Sequence, residues 1–247
     1  MQDEYVKVVG RNPVKEALKS GKNINKIYVA EGETDHGLSM IIKDAMEKGI
    51  YVQRTDRRKM DSMTGGAAHQ GIIAMCSPIE FCDVNDILAY ADELNEKPFI
   101  VMLDGVTDSR NAGAIIRSAY CAGAHGVIIA KRRSAALNEG VYKASAGSVE
   151  YIRIAQVANL AQTMEALQKK GLFAVCCDMD GENYHDIDYD MPLIVIAGAE
   201  GEGISRVIKN KADFSASIPM KGKLDSLNTA VACGIVLFEA ARQRAGK

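Results

Sequence analysis

Hydrophobic and polar positions over residues 1–76 alternate between helical and strand-like spacing. In "NPVKEALKSG" Asn12 predicts a helix cap and Pro13 the first helical position, and Gly21 is expected to end the helix. Further on, "HGLSMIIKDAMEKG" has its apolar residues on one helical face, and a short basic helix, "DRRKMDSM", is predicted after it. Strands are predicted at "INKIYVA", "IYVQRT" and "GIIAMC". The order α-β-α-β-α-β indicates a small α/β domain over residues 1–76.

A different hydrophobic pattern begins at residue 98, where apolar, strand-like runs alternate with helical segments up to residue 247. The predicted strands are "FIVMLD", "GVIIA", "YIRIA", "LFAVCCD", "LIVIAG" and "FSASIP". Runs of this kind, separated by helices, predict a second α/β domain around a mainly parallel sheet. Between the two regions, "VNDILAYADELNEK" has the pattern of one amphipathic helix, and residues 77–97 are predicted to be the linker.

Composition narrows the class of protein. The 247 residues, 47% hydrophobic and 25% charged, are enough for one large core or two modest ones. The net charge of −2 gives no general attraction to nucleic acid, so RNA binding would need a local basic cluster. The six cysteines lack the CxxC pairs of a zinc site and are expected to be reduced thiols, and no metal site is predicted. Neither a membrane-length apolar run nor the residue order of a signal peptide occurs, so the expected location is the cytoplasm and no membrane partner is expected.

Candidate chemistry lies in three loops that each lead from a predicted strand to a helix. Ligands of parallel α/β sheets bind at the carboxyl ends of the strands, where such loops meet. The first loop supplies Asn111 and the helix after it Arg117, the second, "AGAEGEGIS", supplies Glu200, and the third supplies Ser226 and Asn228. An isolated Asn or Ser at such a position is most often only a helix cap. Gly113, four residues before Arg117, is expected to leave a path for the guanidinium toward the loop.

These loops resemble the motifs of a known family. The segments "NAGAIIRSAYCAGAHGVII", "LIVIAGAEGEGIS" and "IPMKGKLDSLNTAVACGIVLFEA" are similar to three successive motifs of the SpoU-TrmH (SPOUT) group of RNA ribose 2′-O-methyltransferases. In addition, "GRNPVKEAL" and "HQGIIA" resemble the substrate-binding domain of the RlmB-type rRNA (guanosine-2′-O-) members. The resemblance implies a C-terminal domain threaded into a trefoil knot, a homodimer, and S-adenosylmethionine held by the knot loops.

The resemblance also implies roles for particular residues. The catalytic set would be Asn111, Arg117, Glu200, Ser226 and Asn228, and main-chain atoms of Gly198, Ile218 and Leu227 would hold the methyl donor. A guanidinium is a poor proton acceptor, so Arg117 is expected to hold a phosphate and favour the developing alkoxide.

RNA is the expected partner, with rRNA favoured, and its contacts are assigned to local basic clusters. These are the run Arg54, Arg57, Arg58 and Lys59 in "RTDRRK", together with the segment "AKRRSAALN". Two alternatives stay open: a tRNA 2′-O-methyltransferase of the same family, and an RNA-binding module without catalysis.

Overall fold

The structure, a computed structural model, describes residues 5–20, 24–33 and 35–246 and contains two β-sheets. The first part of the chain forms β1 (Val6–Val9), α1 (Arg11–Lys19), β2 (Ile24–Ala30), α2 (His36–Glu47), β3 (Val52–Thr55), α3 (Arg57–Thr64) and β4 (Ile72–Cys76). Helix α4 (Val84–Glu93) follows. The rest forms β5 (Phe99–Asp104), α5 (Ser109–Cys121), β6 (Gly126–Ala130), α6 (Glu139–Ala144), a 3₁₀ turn (Ser148–Glu150), β7 (Arg153–Val157), α7 (Leu160–Gln168), β8 (Phe173–Asn183), β9 (Leu193–Gly198), α8 (Arg206–Lys209), β10 (Phe214–Ser217) and α9 (Thr229–Arg244).

The first sheet has the strand order β1-β4-β2-β3. Strand β4 runs antiparallel to β1 and β2, whereas β2 and β3 are parallel. The sequence pattern predicts β2, β3 and β4 but not β1, so the observed order, unlike the predicted one, begins with a strand. Strand β1 has only four residues, and Val6 pairs with Cys76, far along the chain, so its stabilising partner is not local in sequence.

The start of α1 differs from the prediction. Helix α1 begins at Arg11, so Asn12 lies inside the first turn and is not the cap. Gly10 precedes the helix with φ of 99°, a conformation that glycine adopts without strain. The side-chain oxygen of Gln70 accepts a hydrogen bond from the Arg11 N–H at 3.1 Å, so a distant residue satisfies one of the free N–H groups. The helix ends at Lys19, and Gly21 lies outside the described residues.

The second sheet has the order β10-β8-β9-β5-β6-β7, and every neighbouring pair is parallel. The prediction of a mainly parallel sheet is therefore confirmed. Apolar residues of the strands pack on both sides. One face packs with α5, α6 and α9 and the other with α4, α7 and α8. Burial on both faces explains why the strands are apolar throughout rather than alternating.

Helix α4 lies within the predicted linker and packs on the second sheet. Ile87 and Ala91 are fully buried, and Cys82 donates its N–H to the carbonyl of Ile154 at 3.0 Å. Gly126, the first residue of β6, faces Ile87 so closely that an added Cβ would lie 2.6–2.7 Å from that side chain. The predicted linker thus forms part of the layer that covers one face of the sheet.

The two halves of the chain also share a partly buried contact. The hydroxyl of Tyr151 donates to the carbonyl of Glu16 at 3.1 Å and lies 3.0 Å from its carboxylate. Burial and the neighbouring Glu16 carboxylate raise the pKa of Tyr151 to about 12. Gly147, at φ of 87°, lies where an added Cβ would be 2.7 Å from the Cβ of Glu16. The boundaries 1–76, 77–97 and 98–247 remain predictions, and a continuous apolar cluster connects the outer two.

Candidate active site

The loop between β5 and α5 presents Asn111 at the carboxyl edge of the second sheet. Asp108 caps α5, accepting hydrogen bonds from the N–H groups of Arg110 at 2.8 Å and Asn111 at 3.0 Å. These backbone bonds, together with the Arg110 guanidinium, lower the pKa of Asp108. The capping interpretation of Asn111 is therefore wrong, because Asp108 has that role and the Asn111 side chain is free for other contacts.

A chain of side-chain hydrogen bonds joins the three loops. The Asn111 amide donates to the Glu200 carboxylate at 2.8 Å, and the Asn228 amide donates to the Asn111 carbonyl oxygen at 2.9 Å. The carbonyl oxygen of Asn228 in turn accepts from the N–H groups of Ala230 at 3.0 Å and Val231 at 3.4 Å. Asn228 thus caps α9 and contacts Asn111 at the same time. The predicted convergence of three loops holds for Asn111, Glu200 and Asn228.

The second loop folds closely over the end of β9. Ala199 and Gly203 exchange two backbone hydrogen bonds, at 3.0 and 2.9 Å, and Gly203 has φ of 70°. A Cβ on Gly198 would overlap the backbone of Gly203 and Ile204, so only glycine fits there. The Gly198 carbonyl accepts from the Thr229 hydroxyl at 2.8 Å, which fixes the start of α9 beside this loop.

The third loop, residues 218–228, is mostly exposed. Ser226 is exposed and forms no hydrogen bond through its side chain with any described residue. Leu227 is 37% exposed, and Ile218 is half-buried. These three predicted site residues lie on the loop that ends at Asn228, but outside the hydrogen-bonded cluster.

Arg117 also lies outside the cluster. It follows Asn111 by six residues on α5, is exposed, and pairs with no acidic group in the described parts of the chain. The predicted role of Gly113 is wrong: a Cβ there would lie 2.8 Å from the carbonyl oxygen of Val141, and α6 occupies that space. Gly113 therefore permits close packing of α5 on α6 rather than a path for Arg117.

The N-terminal basic run lies on the first sheet. Arg54 is on β3, and Arg57, Arg58 and Lys59 form the first turn of α3. All four are exposed, and Arg57 forms an ion pair with Glu33 at 3.1 Å. Asp56 caps this helix, accepting from the N–H groups of Arg58 and Lys59.

Two residues of the site were not found from the sequence. Asp104 accepts the Ser205 N–H at 2.7 Å and so holds the second loop against β5, and Asp108 caps α5. An Asp three residues before Asn111 was a cap signal in the sequence. The Asp104 contact had no such signal, because its partner is 101 positions away.

A groove of about 630 Å³ runs between α5 and α9 beside the cluster. Asn111 and Asn228 form one end, and Ala114, Val231 and Phe238 line its apolar part. Val231 and Phe238 are 51% and 52% exposed.

Within the described ranges, no group of three or more His, Cys, Asp or Glu side chains is placed to hold a metal ion. No described helix combines the length and apolar character needed to cross a bilayer.

Two family models match this chain over regions that correspond to the two sheets. The model of the SpoU rRNA Methylase family matches residues 98–238, and the model described as RNA 2′-O ribose methyltransferase substrate binding matches residues 7–82. The chain belongs to the SpoU rRNA methylase family. The methyltransferase match spans every strand of the parallel sheet and the Asn111–Glu200–Asn228 cluster.

Relatives of this SpoU-family methyltransferase extend over the whole chain. It is 39% identical to the "Putative TrmH family tRNA/rRNA methyltransferase YacO" of Bacillus subtilis, over 99% of this chain and 98% of that protein. The AdoMet-bound rRNA methyltransferase from Sinorhizobium meliloti aligns with a TM-score of 0.80 and 28% identity, covering 97% of this chain and 87% of that one. The TrmH/SpoU tRNA modifying enzyme of A. aeolicus aligns with a TM-score of 0.56 and 30% identity, covering 65% and 85%.

Proposed function

We propose that this protein transfers a methyl group from S-adenosylmethionine to a ribose 2′-hydroxyl of a guanosine in large-subunit rRNA, as RlmB-type enzymes do. The observation that carries the proposal is the hydrogen-bonded chain Asn228–Asn111–Glu200, at the edge of the sheet where parallel α/β proteins bind ligands. The N-terminal region supports rRNA over tRNA. The S. meliloti rRNA methyltransferase aligns with 97% of this chain, whereas the A. aeolicus tRNA modifying enzyme aligns with 65%. A tRNA ribose is the second candidate, because that tRNA enzyme is 30% identical over the shared part.

The loops at β9 and before α9 fit a methyl donor. A Cβ on Gly201 would meet nothing within 4 Å, so space beside this backbone is open to a ligand, and Leu224 and Leu227 of the third loop are 76% and 37% exposed. Exposed apolar side chains next to open backbone suit a ligand with an aromatic base and polar ends. Main-chain atoms of Gly198, Ile218 and Leu227 would hold the donor, whose sulfonium supplies an electrophilic methyl group when bound.

The protein's own residues would position the acceptor ribose. A ribose hydroxyl is a poor nucleophile, so orientation and stabilisation of the developing alkoxide are the main tasks. Asn111 and Asn228 would orient the ribose, and Glu200 keeps the Asn111 amide in place through its 2.8 Å hydrogen bond. Ser226, which has no partner among described residues, is available to the same ribose or to its phosphate. Arg117 would hold a phosphate with its forked guanidinium.

A homodimer built on the α5–α9 groove would complete this site. Helix α9 is apolar on its buried side and also at exposed Val231 and Phe238, a pattern expected of a helix that is covered on both sides. Arg117 is exposed and precedes Ser118, which lines the groove, and we propose that in such a dimer it reaches the partner's loops.

The resemblance also implies a trefoil knot. The chain leaves β10 at the edge of the sheet and returns to the end of β9, where Thr229 bonds to Gly198, and this path is compatible with a knot. RNA would also contact the N-terminal region through Arg54, Arg57, Arg58 and Lys59, which are exposed. The cytoplasm is the proposed location, as the compartment that contains rRNA.

The test combines donor binding with methyl transfer. Calorimetry with S-adenosylmethionine should show binding, and the protein should transfer labelled methyl groups to rRNA purified from cells that lack this chain, and not to their tRNA. The variant Arg117→Lys should bind the donor normally but lose transfer by about 100-fold or more, since an ammonium cannot form the forked contact. Donor binding without transfer to any RNA would identify a non-catalytic module. Transfer confined to tRNA would identify the second candidate.

A further inference from the structure

Three cations in a row follow β6 and have no side-chain partner among the residues that the structure describes. Lys131, Arg132 and Arg133 are all exposed, and none of their side chains forms an ion pair or hydrogen bond with the parts of the chain that the structure describes. We call residues 131–134 the basic loop. In the N-terminal run Arg57 is paired with Glu33 at 3.1 Å, whereas the side chains of Arg54, Arg58 and Lys59 form no pair with the described residues.

The basic loop is held rigidly at both ends. The Lys131 N–H donates to the Val157 carbonyl at 2.8 Å, and the Ser134 hydroxyl donates to the Ala130 carbonyl at 2.6 Å. Between them Arg133 has φ of 57°, a left-handed conformation that is unfavourable for a residue other than glycine. Such a conformation persists where the surrounding contacts over-determine it, so the backbone that carries the three cations has a defined course.

The same contacts connect the basic loop to the candidate active site. The Ala135 N–H donates to the Val106 carbonyl at 2.9 Å, and Val106 belongs to the loop that carries Asp108 and leads to Asn111. Strands β9, β5 and β6 are neighbours in that order. Their carboxyl ends are therefore spaced by about 5 Å, which puts the end of β6 about 10 Å from the end of β9. The cations and the Asn111–Glu200 pair thus share one edge of the sheet.

Charge at this edge would otherwise repel RNA. Asp104 is the last residue of β5, Asp108, Glu200 and Glu202 lie on the loops after β5 and β9, and the whole chain has a net charge of −2. Arg110 is bound to Asp108 at 3.3 Å, and Arg206, four residues after Glu202, is exposed. A polyanion that brings a ribose to this edge needs unpaired local cations, and the basic loop supplies three.

We propose that the basic loop binds the phosphates of single-stranded RNA that flank the ribose held at Asn111 and Asn228. This assignment rests on the proposed function and adds the element that positions the RNA strand within the catalytic half of the chain. Side chains of Lys131 and Arg132 would contact phosphates directly, and Arg133 would set the direction of the loop as well as add a third contact. An unpaired strand is the expected substrate form, because a ribose must leave a duplex groove to enter a loop-lined pocket.

The experiment compares two triple variants of equal charge in the full chain. In the loop variant, Lys131, Arg132 and Arg133 are each replaced by Gln. In the control variant, Lys43, Lys169 and Lys170 are each replaced by Gln, and these exposed residues lie on α2 and just after α7. Binding of a short single-stranded RNA and of the protein-free rRNA is measured between about 50 and 200 mM salt, with donor affinity and thermal unfolding as parallel readouts.

The loop variant should bind both RNAs about tenfold more weakly at the low-salt end. Its slope of log affinity against log salt should be smaller by about two, since each phosphate contact on a single strand contributes about 0.7. Donor affinity and the unfolding temperature should match the parent, and saturating RNA should restore most of the transfer rate. The single variant Arg132→Glu should reproduce the direction of the effect while leaving the backbone of Arg133 unchanged.

Equal RNA affinity and salt slope in the loop and control variants would overturn the proposal. The loop assignment alone would be contradicted if the parent binds the donor and methylates RNA and the loop variant does the same at every salt concentration. A parent that shows neither donor binding nor transfer would instead contradict the proposed function, and the loop assignment with it.

Discussion

Glu239 is a buried carboxylate in α9, a helix that is otherwise mostly apolar. It accepts two hydrogen bonds from Arg242, at 2.9 and 2.7 Å, and one from Gln243 at 2.9 Å. Gln243 also bonds to the backbone of Tyr189 and Ile187, so the group ties α9 to the connection between β8 and β9. The Arg242 contact, with support from Gln243 and His185, lowers the pKa of Glu239 from 4.5 to about 2.

The variant Glu239→Gln should therefore show a pH-dependent loss of stability. A carboxyl whose pKa is lowered by folding stabilises the protein above its unfolded pKa, and the contribution disappears as the pH falls through the folded value. At pH 7 the variant should be less stable by about 1.5–3 kcal/mol, as expected for lost hydrogen bonds to a charged group. The difference should shrink between about pH 4.5 and pH 2. Urea unfolding across this range is the measurement, with exposed Glu47→Gln as the control. If the difference in unfolding free energy between parent and variant stays constant with pH, the ionised Glu239 carboxylate does not contribute as described.

At the scale of elements, the packing of α4 on β6 is set by a glycine. Gly126 faces the buried side chain of Ile87, and an added Cβ would approach three of its carbon atoms within 2.7 Å. The variant Gly126→Ala should lose about 1–3 kcal/mol of stability by overpacking. Ile87→Ala should also be destabilising, because it leaves a cavity. The double variant should lose less than the sum of the two, since the alanine methyl then enters the space of the missing side chain. A double-mutant cycle by urea unfolding measures this coupling, and strict additivity would show that α4 does not pack as described.

At the scale of the whole molecule, the apolar stripe on α9 predicts self-association. The double variant Val231→Glu, Phe238→Glu puts two charges on the α5–α9 groove and should convert a dimer into a monomer, since unpaired charges are costly at a buried interface. Met40→Glu, Met46→Glu is the matched control, because these residues are 57% and 60% exposed on α2, away from the groove. Sedimentation gives the mass, and methyl transfer should fall with the dimer if Arg117 acts on the partner's site. A parent that is monomeric at micromolar concentration would contradict the groove as a dimer interface.

The partly buried contact between the two halves also affects which truncated or substituted forms of the protein are informative. Removal of residues 1–76 would expose the surface that Glu16 and α1 cover on Tyr151 and Gly147. Weaker RNA binding by such a truncated protein would then have two causes that cannot be separated, the lost RNA contacts and the altered packing of the remaining domain. Charge substitutions in the full chain are therefore the sharper test of RNA contacts at Arg54, Arg57, Arg58 and Lys59.

The sequence by itself determined the elements whose pattern is local. The runs at β5, β6 and β9 are apolar throughout because both faces of a parallel sheet are buried, and this predicted the second sheet strand by strand. It also determined which loops bear polar groups, so Asn111, Glu200 and Asn228 could be assigned to one edge of that sheet before any distance was known. The motif resemblance added the family, which composition and periodicity do not contain.

Only the tertiary structure decided which groups become partners. Strand β1 exists because β4 pairs with it across the intervening α/β unit, and the cap of α1 comes from Gln70, 59 positions away. Gly113 makes room for α6 rather than for Arg117, which lies exposed outside the cluster that its motif suggested. Local spacing fixes which face a side chain occupies, whereas its neighbour depends on how remote segments pack. For that reason the sequence indicated the loops of the site, and the fold selected the residues that meet there.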